Sequence, residues 1–269
     1  MSTRKPESAV SDSATSAMDA PAKLERGLSW RMLLSELGVA GPNCPSCGHG
    51  FEKMPQRKRA CPKCSAILYS RKRAFDGAKS LLTETQARDD EAQGSLRSFV
   101  QNGGVPEPEV EALLILLHGQ LGRVPTAHDV VAEILMRQAA THAEAWNWGL
   151  YRNARFNLAE ALVHQGRRED ALNLFLEVLL LDLNGPRNMG TKDPEIVRRF
   201  PPFDPSTAFL APGAIGRAVD VMADLRLSTD EVEKRFISLD GSTEPLRGLP
   251  RSAVDAWRDL KRVFANVQR

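Results

Sequence analysis

The residues best suited to chemistry are Cys44, Cys47, Cys61 and Cys64, the chain's whole complement of cysteine, set as two C-x-x-C pairs thirteen residues apart. Each pair suits a tight turn in which two sulfurs converge while backbone N–H groups point at them. Two such turns together offer four thiolates at tetrahedral angles, the donor set of a structural zinc ion. A redox dithiol needs only one pair, so the second matched pair points to metal. One Zn2+ is therefore the expected cofactor. Four thiolates also close the coordination sphere, which leaves no open position for a substrate. His49 lies between the pairs, and the closed sphere assigns it to the surface or to the shell behind the ligands.

The elements that must hold these cysteines are short. Gly48 follows the second cysteine, where a left-handed turn is cheap only for glycine. Phe51 and the run Ala66–Tyr69 read as strand residues flanking the turns. Residues 43–80 thus form a small β zinc ribbon. Its charge is unusual for the chain: within residues 41–80 nine basic groups stand against Glu52 and Asp76, a net +7, while the whole chain carries +2 and the remainder therefore −5. Two units fall away when four thiolates bind one Zn2+, leaving about +5 on the ribbon. A cationic module on an acidic body suggests a polyanionic partner. Lys53, Arg57, Lys58, Arg59, Arg71, Lys72 and Arg73 are the candidate phosphate contacts, with Phe51 or Tyr69 available for base stacking. The same charges would also serve as a solvated face, or as a surface that binds the acidic body.

Around the ribbon the chain reads as mainly α. Residues 1–20, rich in Ser, Ala and Thr, read as a disordered tail, and 21–42 as an N-terminal helix on the spacing of Leu24, Leu28, Met32 and Leu33. Residues 81–104 read as a solvated helix or linker, with Thr83 and Gln86 as a possible capping box. Residues 105–185 form a helical-hairpin domain of four helices. Thr126 with Asp129 and Thr141 with Glu144 start two of them, and the second is expected to carry Trp146 and Trp148. A Pro-rich connector, 186–212, suits a wrapping arm or subdomain boundary, with a helix only at 194–200. Residues 213–269 supply three C-terminal helices, two of them capped by Ser228 with Glu231 and by Ser252 with Asp255.

Two resemblances follow from these motifs. The string from Cys44 to Ala87 resembles the ribbon of uncharacterised zinc-ribbon proteins of bacteriophages and prophages. In those, a C-P-x-C-G turn leads through a basic P-x-R-K segment to a second C-x-x-C, a basic strand and an L-L-T-E approach to a helix. This chain keeps the four cysteines, Arg57–Arg59 and Leu81-Leu-Thr-Glu84. It departs at Ser65, where glycine is usual, and at Lys72-Arg73-Ala74-Phe75, where Thr-Arg-Pro is usual. The resemblance implies a phage or mobile-element origin and no established activity. At 158–178, Leu158, Ala159, Leu162, Gly166, Ala171, Phe175 and Val178 resemble a single tetratricopeptide hairpin, with Arg155 at its first aromatic position; that resemblance implies a protein-binding scaffold, and an ordinary helical hairpin is the alternative.

Much is excluded. No run approaches the ~20 apolar residues of a membrane helix, and the start lacks the apolar stretch of a signal peptide. Cysteine use fits a reducing cytoplasm. Phosphate-loop, dinucleotide-turn and nucleophile-elbow motifs are absent, and His118, His128, His142 and His164 are scattered without H-E-x-x-H spacing. The expectation is a non-enzymatic adaptor, with a protein partner for the helical body and a nucleic acid or second protein for the ribbon. No membrane and no small-molecule substrate is implied. A concave pocket of converging carboxylates or histidines would instead mark an enzyme.

Overall fold

The structure, a computed structural model, describes residues 29–102, 104–242 and 246–267. The expected tail at 1–20 lies outside the described residues. Four short strands, β1 (Val39–Ala40), β2 (Arg59–Ala60), β3 (Ile67–Lys72) and β4 (Lys79–Leu82), form one antiparallel sheet in the order β1-β4-β3-β2. Nine helices follow among the described residues: α1 (Glu84–Gln101), α2 (Glu107–Leu121), α3 (Ala127–Glu144), α4 (Trp148–His164), α5 (Arg168–Asn184), α6 (Pro194–Arg199), α7 (Pro212–Asp224), α8 (Thr229–Ile237) and α9 (Ala253–Val267). The protein is mainly helical with a small sheet at one end.

The core centres on α5. From Leu174 to Asn184 every residue of this helix is buried, and α4, α7, α8 and α9 lie against it. Each fully buried leucine there adds about 2 kcal/mol of transfer free energy. Its two buried carboxylates are met from α4. Glu177 accepts from Tyr151 Oη (2.5 Å) and from Arg155 Nε and Nη2 (2.9 and 2.5 Å), and Asp182 takes Arg152 through both oxygens at 2.7 Å. Burial and the Glu177 charge raise the Tyr151 phenol well above its usual range, so it stays protonated and donates.

The segment 186–212 lies along the start of α4. Trp148 N–H donates to Arg187 O, Met189 N–H to Trp146 O, and Asn188 Oδ1 accepts from Leu150 N–H. Phe203 stacks on Trp148 with ring centroids 5.3 Å apart.

Two expectations need correction. The helix at 21–42 is not formed where the chain is described: residues 21–28 lie outside, Trp30–Leu33 makes one 3-10 turn, and the chain is extended by Leu34. Tertiary contacts override the local period. Trp30 is buried in the helical core, Ser35 exchanges two hydrogen bonds with Gln93, and β1 closes the sheet edge. Gly38 (φ +66°) makes that closure possible, since a Cβ there would stand 2.3 Å from Leu81 O. The second correction is Thr141, which starts no helix. Helix α3 runs on to Glu144, Thr141 Oγ1 donates back to Arg137 O at 3.1 Å, and the break comes at Trp146 with φ +54°.

The helix expected within 81–104 forms as α1, with one face buried at Ala87, Asp90, Ala92, Gln93 and Leu96 instead of solvated all round. Its Thr83–Gln86 capping box forms, and its polar residues hold the sheet: Asp90 Oδ1 accepts from Ala74 N–H at 2.7 Å and Arg97 donates to Ala74 O at 2.6 Å.

The β3–β4 turn carries an unexpected echo of the cysteine turns. In Cys44–His49 and Cys61–Ala66 the first residue's N–H donates to the sixth residue's carbonyl, and its own carbonyl accepts from the fifth. Arg73–Ala78 repeats both bonds, at 3.0 and 2.9 Å, with Gly77 in the left-handed conformation that Gly48 and Ser65 adopt. At the two positions where the other turns have cysteine stand Arg73 and Asp76, joined by two hydrogen bonds of 3.1 and 2.6 Å. Arg73 is only 3% exposed and also donates to Glu36 Oε1 and Leu37 O. An ion pair thus closes this turn where sulfur closes the others. Asp76→Ala, which removes two of the hydrogen bonds made by the buried Arg73 guanidinium and leaves it Glu36 and Leu37 O, is expected to destabilise the protein in urea unfolding by more than an ordinary surface substitution does. A loss below about 0.5 kcal/mol, the range of an ordinary surface substitution, would refute the role given to this pair.

Candidate metal centre and basic face

The two cysteine turns place their four sulfurs within 4.8 Å of one another, and among the described residues this is the one cluster of three or more such donors so close. The sulfurs of Cys44 and Cys64, and of Cys47 and Cys61, lie 3.7 Å apart. A tetrahedron of thiolates around an ion at about 2.3 Å has edges of about 3.8 Å, close to these two distances, so the four sulfurs could hold one metal ion. Cys44 and Cys61 are buried against Leu68 and Leu81, while Cys64 is exposed.

Electrostatics agree with that use. Burial opposes ionisation of Cys61, yet N–H groups of Cys64 and Lys63 point at its sulfur and hold the thiol down to about 7. The Ala66 N–H favours the Cys64 thiolate, but crowding by the Cys47, Cys61 and Cys44 sulfurs, with burial, pushes that thiol up to about 12. Four sulfurs this close resist carrying four charges together, and a bound cation removes the conflict. His49 is outside the cluster and packs edge-on against Phe51 at 5.1 Å.

The seven candidate phosphate contacts separate into two groups. Lys53, Arg57, Lys58, Arg59 and Lys72 are exposed, and among the described residues none has a carboxylate within ion-pair distance. Lys58 stands over the Tyr69 ring at 5.1 Å and Arg59 over Phe51 at 5.1 Å. Arg71 is half-buried and paired with Glu91 of α1. Arg73 is sealed in its own ion pair, so it belongs to the fold and not to the basic face.

Sequence reading passed over a second grouping. His128 of α3 and His164 of α4, thirty-six residues apart, have ring centroids 5.9 Å apart and line a cleft of ≈ 350 Å³ with Glu91 and Glu160. One local signal points to it, Glu160 and His164 four apart on one helix face. A larger cavity of ≈ 740 Å³ lies between Trp146, Trp148, Phe203 and Lys192. No helix among the described residues is long and apolar enough to cross a membrane. No protein-family profile, no curated protein and no solved structure matches the chain.

Two outcomes check the metal centre. Cys44→Ser or Cys61→Ser is expected to lower metal content from one ion at this site to near none, with most far-ultraviolet helical signal kept; collapse of that signal would show the helices depend on the ribbon. Ser65→Gly is expected to tighten metal binding two- to fivefold in chelator competition, because relief of the left-handed serine (φ +59°) is worth about 0.5–1 kcal/mol. Unchanged or weaker binding would count against it.

Proposed function

We propose that this protein is a binding protein and not an enzyme, of phage or prophage type, in which a zinc-stabilised ribbon contacts nucleic-acid phosphates and the helical body carries a protein contact. The observation that carries the reading is the set of exposed, unpaired cations at Lys53, Arg57, Lys58, Arg59 and Lys72, interleaved with Phe51 and Tyr69. Elsewhere the acidic groups take arginine partners freely; Arg31, Arg123, Arg152 and Arg155 are all paired. Cations left without carboxylate partners beside aromatic rings are the combination that tracks a phosphate backbone and stacks bases. Because the ribbon offers no helix to a groove, the contact is assigned to backbone and single-stranded bases, without sequence readout.

Zinc is the ion we assign to the four sulfurs, since an all-thiolate tetrahedron suits zinc and the ribbon has no hydrophobic core large enough to fold alone. A reducing cytoplasm suits four free thiols. The protein contact is supported by α2, whose outer side leaves Ile115, Leu116 and Leu121 exposed.

The test is fluorescence anisotropy of the zinc-loaded chain with labelled single- and double-stranded DNA and RNA at two salt concentrations. Binding is expected to weaken steeply with salt. Replacing Arg57, Lys58 and Arg59 by alanine should reduce the slope of log affinity against log salt by about 2–3, from ~0.7–0.9 per lost phosphate contact. Arg71→Ala, already paired to Glu91, should change it less. No binding at low salt would remove nucleic acid and leave a second protein as the ribbon's partner.

A further inference from the structure

The cleft between α1, α3 and α4 gathers donors that nothing in the fold requires there. His128 Nε2 lies 3.1 Å from Asp89 Oδ1, which fixes the ring and leaves Nδ1 as its free nitrogen when Nε2 carries the proton. His164 Nε2 lies 3.7 Å from Glu91 Oε2, and its Nδ1 is buried without a partner. Glu91 gives its other oxygen to Arg71, and Glu160 gives Oε2 to Arg217 at 2.9 Å. Glu160 Oε1 is buried with no partner at all. Val131 and Leu135 line the same cleft and lend it apolar walls.

An orphaned buried carboxylate oxygen is costly unless something completes it. Glu160 Oε1 and His164 Nδ1 are both left without a hydrogen-bond partner at the wall of this cleft, and a ligand that takes their lone pairs would complete both.

We propose that this cleft is a second metal site, separate from the four thiolates, taking a first-row divalent ion such as Zn2+, Co2+ or Ni2+ on His128, His164, Glu91 and Glu160. Mixed imidazole and carboxylate donors favour that class of ion over Ca2+ or Mg2+. Asp89 acts as the positioning residue, orienting His128 through the nitrogen opposite the metal. The four donors stand further apart than the cysteine sulfurs, so the site requires the two glutamates to turn inward on binding, against their pairs with Arg71 and Arg217.

The test uses the full chain under reducing conditions, stripped of metal and refilled with Co2+. Two ions per chain are expected. The thiolate site gives an intense sulfur-to-cobalt charge-transfer absorption, and the cleft site adds only weak ligand-field bands. His128→Ala with His164→Ala should leave one ion and an unchanged charge-transfer band, whereas Cys44→Ser with Cys61→Ser should remove that band and keep the second ion. Glu160→Gln, nearly isosteric, and Asp89→Asn should each weaken the second ion by about 10–100-fold, as loss of a ligand or its orienting partner does. One ion per chain at tenfold excess of free Co2+ overturns the proposal. So does a second ion that survives the double histidine variant. If that variant does not fold, unchanged affinity in Glu160→Gln and Asp89→Asn overturns it instead.

Discussion

Helix α5 has to be surrounded. It is apolar on every side over its last three turns and yet carries Glu177 and Asp182 inside the body. A buried carboxylate left alone costs several kcal/mol, so whatever packs there must bring cations in register. Arg152 and Arg155 do so from one face of α4, three residues apart, and thereby fix how α4 lies along α5. Asp182 also reaches the connector, accepting from Ala211 N–H through Oδ2 and from Phe209 N–H through its main-chain carbonyl. The position of α4 in turn sets where Glu160 and His164 stand opposite α3. The cleft is a by-product of how the core is neutralised.

The ribbon is held by a different kind of contact. Its seam with α1 is made mostly of hydrogen bonds and ion pairs: Ala74 to Asp90 and Arg97, Ser35 to Gln93, and Arg71 to Glu91. Leu82 and Leu96 are buried near this junction, but polar groups set the register. Hydrogen bonds and ion pairs are directional, so these contacts fix how the sheet sits on α1.

These differences explain what the sequence made legible. The cysteine centre was readable because its spacing is the geometry of the turn itself. The capping boxes at Thr83, Thr126 and Ser228 were readable because each is complete within four residues. Thr141 has the same local pattern and misleads, since no break in the chain precedes it. Helix α1 looked solvated because the groups it buries, Asp90 and Gln93, are polar. Arg73 looked like one more surface cation because a run of charges reads alike whether its members face water or a carboxylate. The pairing of His128 with His164 depends on two helices meeting, which no local window contains.

The ribbon's turns share one backbone pattern but two means of closure, sulfur at the tip and an arginine–aspartate clasp at the root beside α1. Oxidation acts on sulfur and leaves the clasp alone; acid acts on the clasp, because protonating Asp76, whose carboxyl Arg73 holds below its usual range, loosens it. The module therefore fails in two independent ways. With the sulfur tip opened, the root stays moored to α1 through Ala74, so failure at one end of the module does not release the other.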